Sequence, residues 1–173
     1  FPTRRSSDLF VKRAVVRAVA SFRTDKNASN TGTQDIHPKA LSLLLRLLED
    51  NDNLSNQFSD RHYLGTVLKC TAEASSDERV IKQIWRYVDL NALNPDPVVF
   101  RAIVSSLFAV ERDQITTAAA QRDMSRLQFS ANQKVLNILA TAAARGSHFA
   151  IREAAFHAFI RLYGSDLVTV LWI

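Results

Sequence analysis

The sequence predicts an all-α protein. Apolar residues recur at the spacing of amphipathic helices through almost the whole chain, whereas the alternation of a half-buried strand is missing. Gly and Pro number only 4 each in 173 residues, too few for the many tight turns of an all-β architecture. We therefore expect every regular element to be a helix.

The composition is that of an ordinary globular chain of one domain. Apolar residues make up 47% and charged residues 23%, and the length suffices for a sizeable core. The net charge of +5 permits an acidic partner without requiring one. Cys70 is the single cysteine, which excludes an internal disulfide framework. No apolar run reaches the roughly 18–20 residues that a membrane span needs, so no membrane contact is predicted.

Three helices are predicted in the first half of the chain. The apolar spacing predicts the first over residues 10–22, followed by a flexible polar loop over 24–36. Pro38 opens the second helix, because its missing N–H costs nothing in a first turn. The Asn-rich residues 51–53 end that helix, and a third is predicted over 61–74.

Local capping signals open the next two helices. Ser75 and Glu78 have the S-x-x-E spacing of a capping box, which places a helix start there. Asp96 followed by Pro97 combines a capping side chain with a first-turn proline, and predicts a helix through Val110.

The last third of the chain is predicted to hold short helices and one loop. The segment 111–129 is interpreted as a short helix over 114–121 and then a loop. Ser130 and Gln133 form a second capping box, which opens a helix to Arg145. A helix over 148–163 follows. Ser165 begins one more, in which the chain ends, so we expect a truncated C-terminus.

Four of these helices share one pattern. Their windows begin with an apolar residue, at Val11, Tyr63, Val99 and Ile151. The fourth residue of each window is small: Ala14, Thr66, Ala102 and Ala154. So is the eighth: Ala18, Cys70, Ser106 and Ala158. Small residues four apart form one stripe, along which a neighbouring backbone can approach closely.

The repeat predicts an α-solenoid of HEAT/armadillo-like helical hairpins, truncated at both ends. Successive windows begin 52, 36 and 52 residues apart, which averages near the ~40–47 residues of HEAT and armadillo units. Each hairpin would bury its apolar face by stacking on the next. The alternative is an irregular bundle whose Ala-rich helices match by chance.

Residues 1–9 are expected to be non-native. Spelled back into codons, FPTRRSSDL resembles the translated end of a sequencing adapter, and such segments are excluded from fold reasoning. The regular pattern begins at Phe10, so residues 10–173 are interpreted as the helical-repeat fragment.

The stretch ALSLLLRLLEDNDNLSNQFSDRHYLGTVLKC, residues 40–70, resembles the TFIID subunit 2 family of large TBP-associated factors. The positions that match its loop are Asn51, Asp52, Asn53, Asn56, Phe58, Ser59 and Asp60. The windows IWRYVDLNAL and GSHFAIREAAFHAF are similar to the same family in the same order. The 24–36 loop and the 113–130 segment match poorly.

The resemblance implies a non-catalytic scaffold in the nucleus. Members of this family support assembly of the general transcription factor TFIID and RNA polymerase II preinitiation at core promoters. Implied partners are other TFIID subunits and core-promoter DNA. The family also carries an upstream M1-aminopeptidase-like domain that has lost its zinc chemistry.

The residues give no sign of catalysis. The four histidines are scattered, no H-E-x-x-H motif places two of them on one helix face, and the glycines are isolated. We therefore predict no enzyme, no cofactor, no metal and no small-molecule substrate. Cys70 occupies a small-residue position and is interpreted as a core thiol.

The loop around residues 51–60 is the first candidate site. Asn51, Asn53 and Asn56 are predicted to face a partner subunit. The structural alternative is that the asparagines end one helix, Phe58 packs as a hydrophobic staple, and Ser59 or Asp60 caps the next helix. The two interpretations are compatible.

Basic residues at similar repeat positions are the second candidate site. Stacked hairpins would bring them into a line that could follow DNA phosphates. They are Lys12, Arg13, Arg101 and Arg152. The alternative is an ordinary solvated helix surface, because Glu153 interrupts the line.

Two other functions remain open. The helical C-terminal domain of an active M1 zinc aminopeptidase is also built from stacked hairpins, and an H-E-x-x-H upstream would favour it. A general HEAT-repeat adaptor would lack any peptidase-like region.

Overall fold

The computed structural model describes residues 4–24, 35–51, 60–93, 95–120, 133–145 and 148–163. Within these ranges the all-α prediction is confirmed, because every regular element is a helix. In chain order the helices are α1 (Arg4–Ala20), α2 (Pro38–Glu49), α3 (Arg61–Ala74), α4 (Glu78–Leu93), α5 (Pro97–Ala120), α6 (Gln133–Arg145) and α7 (Phe149–Tyr163).

Two helices are longer than the sequence predicts. Helix α1 begins at Arg4 rather than Phe10, because no glycine or proline follows Pro2 to interrupt it. Helix α5 continues from Val110 to Ala120 and absorbs the short helix predicted over 114–121. The uninterrupted segment, which ends in three alanines, sustains a single helix through that region.

Most helix starts follow local capping chemistry. Pro38 and Pro97 begin α2 and α5 as predicted. The Asp96 carboxylate accepts hydrogen bonds from the backbone N–H groups of Val98 and Val99, at 2.8 and 3.1 Å. These bonds satisfy donors that have no partner within the helix.

The predicted capping box at Ser75 is wrong in its cap residue. Helix α4 begins at Glu78, and the Asp77 carboxylate accepts from the Arg79 backbone N–H at 2.8 Å. Ser75 instead follows the end of α3, where its hydroxyl accepts from the Asp77 N–H at 3.2 Å. A carboxylate directly before the helix reaches the first-turn N–H groups, whereas Ser75 lies too far back.

The ends of the predicted 24–36 loop are held together. Arg23 and Ile36 form an isolated antiparallel bridge, and the Thr24 N–H donates to the Asp35 carbonyl at 3.0 Å. Ile36 is buried in the core. Residues 25–34 lie outside the described part of the chain. So do Ser130, the loop predicted over 122–129 and the helix predicted from Ser165.

The odd-numbered helices pack in chain order. Helix α3 contacts α1 and α5, and α5 contacts α7. The even-numbered helices pack on this series: α2 against α1 and α3, α4 against α3 and α5, and α6 against α7. Helix α2 also contacts α4. Each odd helix thus packs against at least one neighbouring odd helix and at least one even helix.

The core lies between these two sets of helices. Its most deeply buried large side chains come from five helices and are Leu44, Leu48, Leu64, Leu68, Ile84, Tyr87, Ile103 and Leu139. In α2 the buried positions recur every three or four residues, as the amphipathic spacing predicts. Cys70 is a buried free thiol of this core, and burial raises the pKa of that thiol above its ordinary value.

The third position of each repeated window lies at the contact between successive odd helices. The Arg13 guanidinium on α1 donates from Nε to the Thr66 hydroxyl on α3, at 2.9 Å. A Cβ added to Gly65 of α3 would lie 3.3 Å from the Ala102 Cβ on α5. Arg101 of α5 pairs with Glu153 of α7 at 3.3 Å. We call these three contacts the seams.

Candidate interaction surface

Asn51, the first predicted partner-facing residue, joins three helices. Its side-chain amide donates to the Asp60 carboxylate at 2.7 Å, which links the end of α2 to the start of α3. Its backbone carbonyl accepts from the Tyr87 hydroxyl on α4. Asn51 is half-buried, so the structure gives it an internal bonding role. Asn53 and Asn56 lie outside the described residues, as do Phe58 and Ser59.

Side chains of α4 satisfy the carbonyls at the end of α2. The buried Tyr87 hydroxyl donates to the Leu48 carbonyl at 2.7 Å. The Arg86 guanidinium donates to the Leu48 and Glu49 carbonyls, at 3.3 Å each. The last carbonyls of a helix have no partner within it, so these bonds hold the junction of α2 and α4 closed.

The four predicted DNA-contacting residues are distributed over three helices. Arg13 is half-buried and bonded to Thr66, and Arg101 is paired with Glu153. Lys12 lies exposed on α1 and Arg152 lies exposed on α7. At least Arg13 and Arg101 therefore serve contacts between helices of this chain.

A groove crosses the surface of α3, α5 and α7. Its volume is about 430 Å³. Apolar and small residues line part of it, namely Val104, Ser105, Phe108, Ala109, Ala154 and Ala158. Charged or titratable side chains line the rest: Lys69, Glu73, Arg101, Glu153 and His157. All of these residues belong to odd-numbered helices, so the repeated packing itself forms the groove.

Charges of both signs lie along the groove. Lys69 pairs with Glu73 at 3.8 Å on α3, and the Arg101–Glu153 pair bridges α5 and α7. Both pairs are largely exposed, so each contributes little to stability and remains accessible to a ligand. The Ser105 hydroxyl donates to the Arg101 carbonyl of its own helix at 2.9 Å. The arrangement suits a ligand that carries both apolar and charged groups.

This groove was not predicted from the sequence. A signal for it is present at the seventh position of the repeated windows, which holds Arg17, Lys69, Ser105 and His157. Every one of these is polar, beside an eighth position that is always small. A polar row next to a small row indicates an outer surface above a close helix contact. Which rows enclose a groove depends on how the helices cross, which spacing alone does not reveal.

Within the described ranges, no group of three or more His, Cys, Asp or Glu side chains is arranged to hold a metal ion. None of the helices in the described part of the chain combines the length and hydropathy needed to cross a bilayer.

Comparisons of the chain with protein-family models, with curated proteins and with solved structures found no match.

Proposed function

We propose that this chain is a non-catalytic scaffold segment, built as an α-solenoid of HEAT/armadillo-like hairpins, whose groove across α3, α5 and α7 binds a protein partner. The observation that carries the proposal is the recurrence of the seams. Three successive odd helices meet the next one through the same window position. Recurrent packing of this kind is the property that distinguishes a stacked repeat from an irregular bundle.

The groove favours a peptide or helix as its ligand. The half-buried Phe108 offers an apolar surface in the groove, while Lys69 and Glu153 offer charges of opposite sign at its sides. An aromatic side chain beside polar groups of both signs is typical of surfaces that bind protein partners. A polyanion such as DNA would meet Glu73 and Glu153 as repulsive charges.

The resemblance of residues 40–70, 84–93 and 146–159 to the TFIID subunit 2 family supplies the biological setting. We propose that the segment acts in the nucleus, where it supports assembly of TFIID and RNA polymerase II preinitiation. Other TFIID subunits are then the partners of the groove. Core-promoter DNA would be contacted through Lys12 and Arg152, outside the groove.

The test uses the tagged full chain and a nuclear extract that contains TFIID. Ser105→Trp fills the groove, and Lys69→Glu reverses one of its charges. Ser42→Trp makes the same serine-to-tryptophan change at an exposed position of α2, away from the groove, and serves as the matched control. Circular dichroism establishes that each variant keeps its helices, and mass spectrometry measures the enrichment of TBP-associated factors.

We expect the wild-type chain and Ser42→Trp to enrich TBP-associated factors equally, and Ser105→Trp to lose at least about tenfold, since filling the groove removes an interaction of at least ~1.4 kcal/mol. Absence of TBP-associated factors from the wild-type sample would refute the TFIID assignment. Equal enrichment by folded Ser105→Trp would refute the groove as the binding surface.

A further inference from the structure

Helix α1 exposes an apolar face that the later odd helices bury. Val11 and Val15, at the first and fifth window positions, are 58% and 55% exposed. The fifth-position residues of α3, α5 and α7 are all buried: Val67, Ile103 and Ala155. At the fourth and eighth positions, Ala14 and Ala18 of α1 are exposed, whereas the residues at the same positions of α3, α5 and α7 are buried. We call this surface of α1 the rear face.

Helix α7 exposes the complementary face. Phe156 and Ile160, at the sixth and tenth window positions, are 53% and 46% exposed. The sixth-position residues of α1, α3 and α5 are all buried: Val16, Leu68 and Val104. At the tenth position Ala20 and Ala72 are buried and Phe108 is half-buried. We call this surface of α7 the front face.

These two faces are the two sides of one kind of contact. The fourth position of the later helix lies at the contact in the Arg13–Thr66 and Gly65–Ala102 seams. Between α5 and α7, the sixth and tenth positions of α5 line the groove together with the fourth and eighth of α7. The chain therefore carries an uncovered example of each side, on α7 and α1 respectively.

We propose that the rear face of α1 binds the front face of α7 in a second copy of this chain. The contact continues the internal series of odd helices. Because the two faces differ, the contact is heterologous, and further copies can add in the same direction. This self-association is separate from groove binding and does not depend on the identity of the groove ligand.

The contact is expected to be weak. It joins two odd helices alone, whereas the α1–α3 and α3–α5 contacts are each supported by an even helix packed on both members. A small apolar contact of this kind belongs to the low end of interface sizes, where association is transient. Association is therefore expected to rise steeply with protein concentration.

Sedimentation velocity of the full chain across a several-hundredfold concentration range tests the proposal. Val15→Glu places a charge on the rear face, and Phe156→Glu places one on the front face. Both residues are more than half exposed, so the helices are expected to form. Val11→Glu and Ile160→Glu are the second pair of variants. Leu93→Glu, at a position of α4 that is 80% exposed, is the matched control.

We expect the wild type and Leu93→Glu to associate beyond a dimer, and each face variant alone to remain monomeric. A mixture of Val15→Glu with Phe156→Glu retains one intact face of each kind, so it should form a dimer and nothing larger. A wild type that stays monomeric would overturn the proposal. So would face variants that associate like the wild type, or a mixture that stays monomeric.

Discussion

At the residue scale, the Tyr87 hydroxyl connects α4 to the end of α2. It is buried and donates to the carbonyls of Leu48 and Asn51, so that α4 closes the end of α2. We expect Tyr87→Phe to lower the free energy of unfolding by about 1–2 kcal/mol, because buried acceptors lose a donor that water cannot replace. Urea unfolding followed by circular dichroism measures the loss.

Tyr63→Phe is the control for that variant, because Tyr63 is a half-buried tyrosine on α3 that takes no part in this junction. We expect Tyr63→Phe to lower the free energy of unfolding by less than half of the loss for Tyr87→Phe. Equal losses for the two variants would mean that the aromatic rings, and not the Tyr87 hydroxyl, carry the effect.

Asp77 makes the start of α4 sensitive to acid. Hydrogen bonds from the Arg79 side chain, and then from its backbone N–H, hold the pKa of the Asp77 carboxyl below its ordinary value. The folded state therefore favours the ionised form. The Asp77 contribution is fully present above the unfolded value of about 3.9 and is lost as the pH falls through the lower, folded pKa.

We expect Asp77→Ala to cost about 1 kcal/mol of unfolding free energy at neutral pH, the usual loss for a missing cap. Below pH ~3 the difference from the wild type should shrink, because the wild-type carboxyl is then protonated too. Asp77→Asn keeps a side-chain oxygen that can accept the capping hydrogen bond, but it cannot titrate. Comparing it with Asp77→Ala therefore separates the effect of the charge from the effect of the capping hydrogen bond. A difference that stays constant down to pH ~2 would contradict the assignment.

At the element scale, the capped helix starts were predictable and the contacts between helices were not. The bounds of α3 agree with the predicted 61–74, although the Asp60 side chain makes no capping hydrogen bond there. Asp96 with Pro97 locates the start of α5, because caps are chemistry of adjacent residues. Arg13 shows the limit. The sequence assigns it to DNA phosphates, yet its partner Thr66 lies 53 positions away along the chain. Such a pairing depends on how α1 crosses α3, which no local pattern encodes.

Gly65 lies in the seam between α3 and α5, where the two helices approach each other closely. Because a Cβ at Gly65 would already lie 3.3 Å from the Ala102 Cβ, a larger side chain must push the helices apart. We expect Gly65→Leu to lower the free energy of unfolding by about 1–3 kcal/mol, despite the better helix propensity of leucine. Thermal and urea unfolding of the full chain measure this change.

Ala92→Leu inserts the same side chain at an exposed position of α4. Its effect should stay within about 0.5 kcal/mol. A Gly65→Leu chain as stable as the wild type would show that α3 and α5 do not pack closely at this point.

At the scale of the whole molecule, the odd helices contact one another in chain order: α1 packs with α3, α3 with α5, and α5 with α7. This order produces both the groove over α3, α5 and α7 and the two uncovered faces on α1 and α7. A closed bundle of the same helices would bury those faces against each other. The proposed scaffold role and the proposed self-association therefore both require that α1 and α7 do not pack against each other within one chain.

The nuclear Overhauser spectrum of the full chain tests that order most directly, with Phe156→Glu present to suppress contacts between copies. We expect cross-peaks between Gly65 and the Ala102 methyl group, and between Arg13 and Thr66, together with none between α1 and α7. Cross-peaks that join α1 to α7 within one chain, in place of those at the seams, would contradict that order.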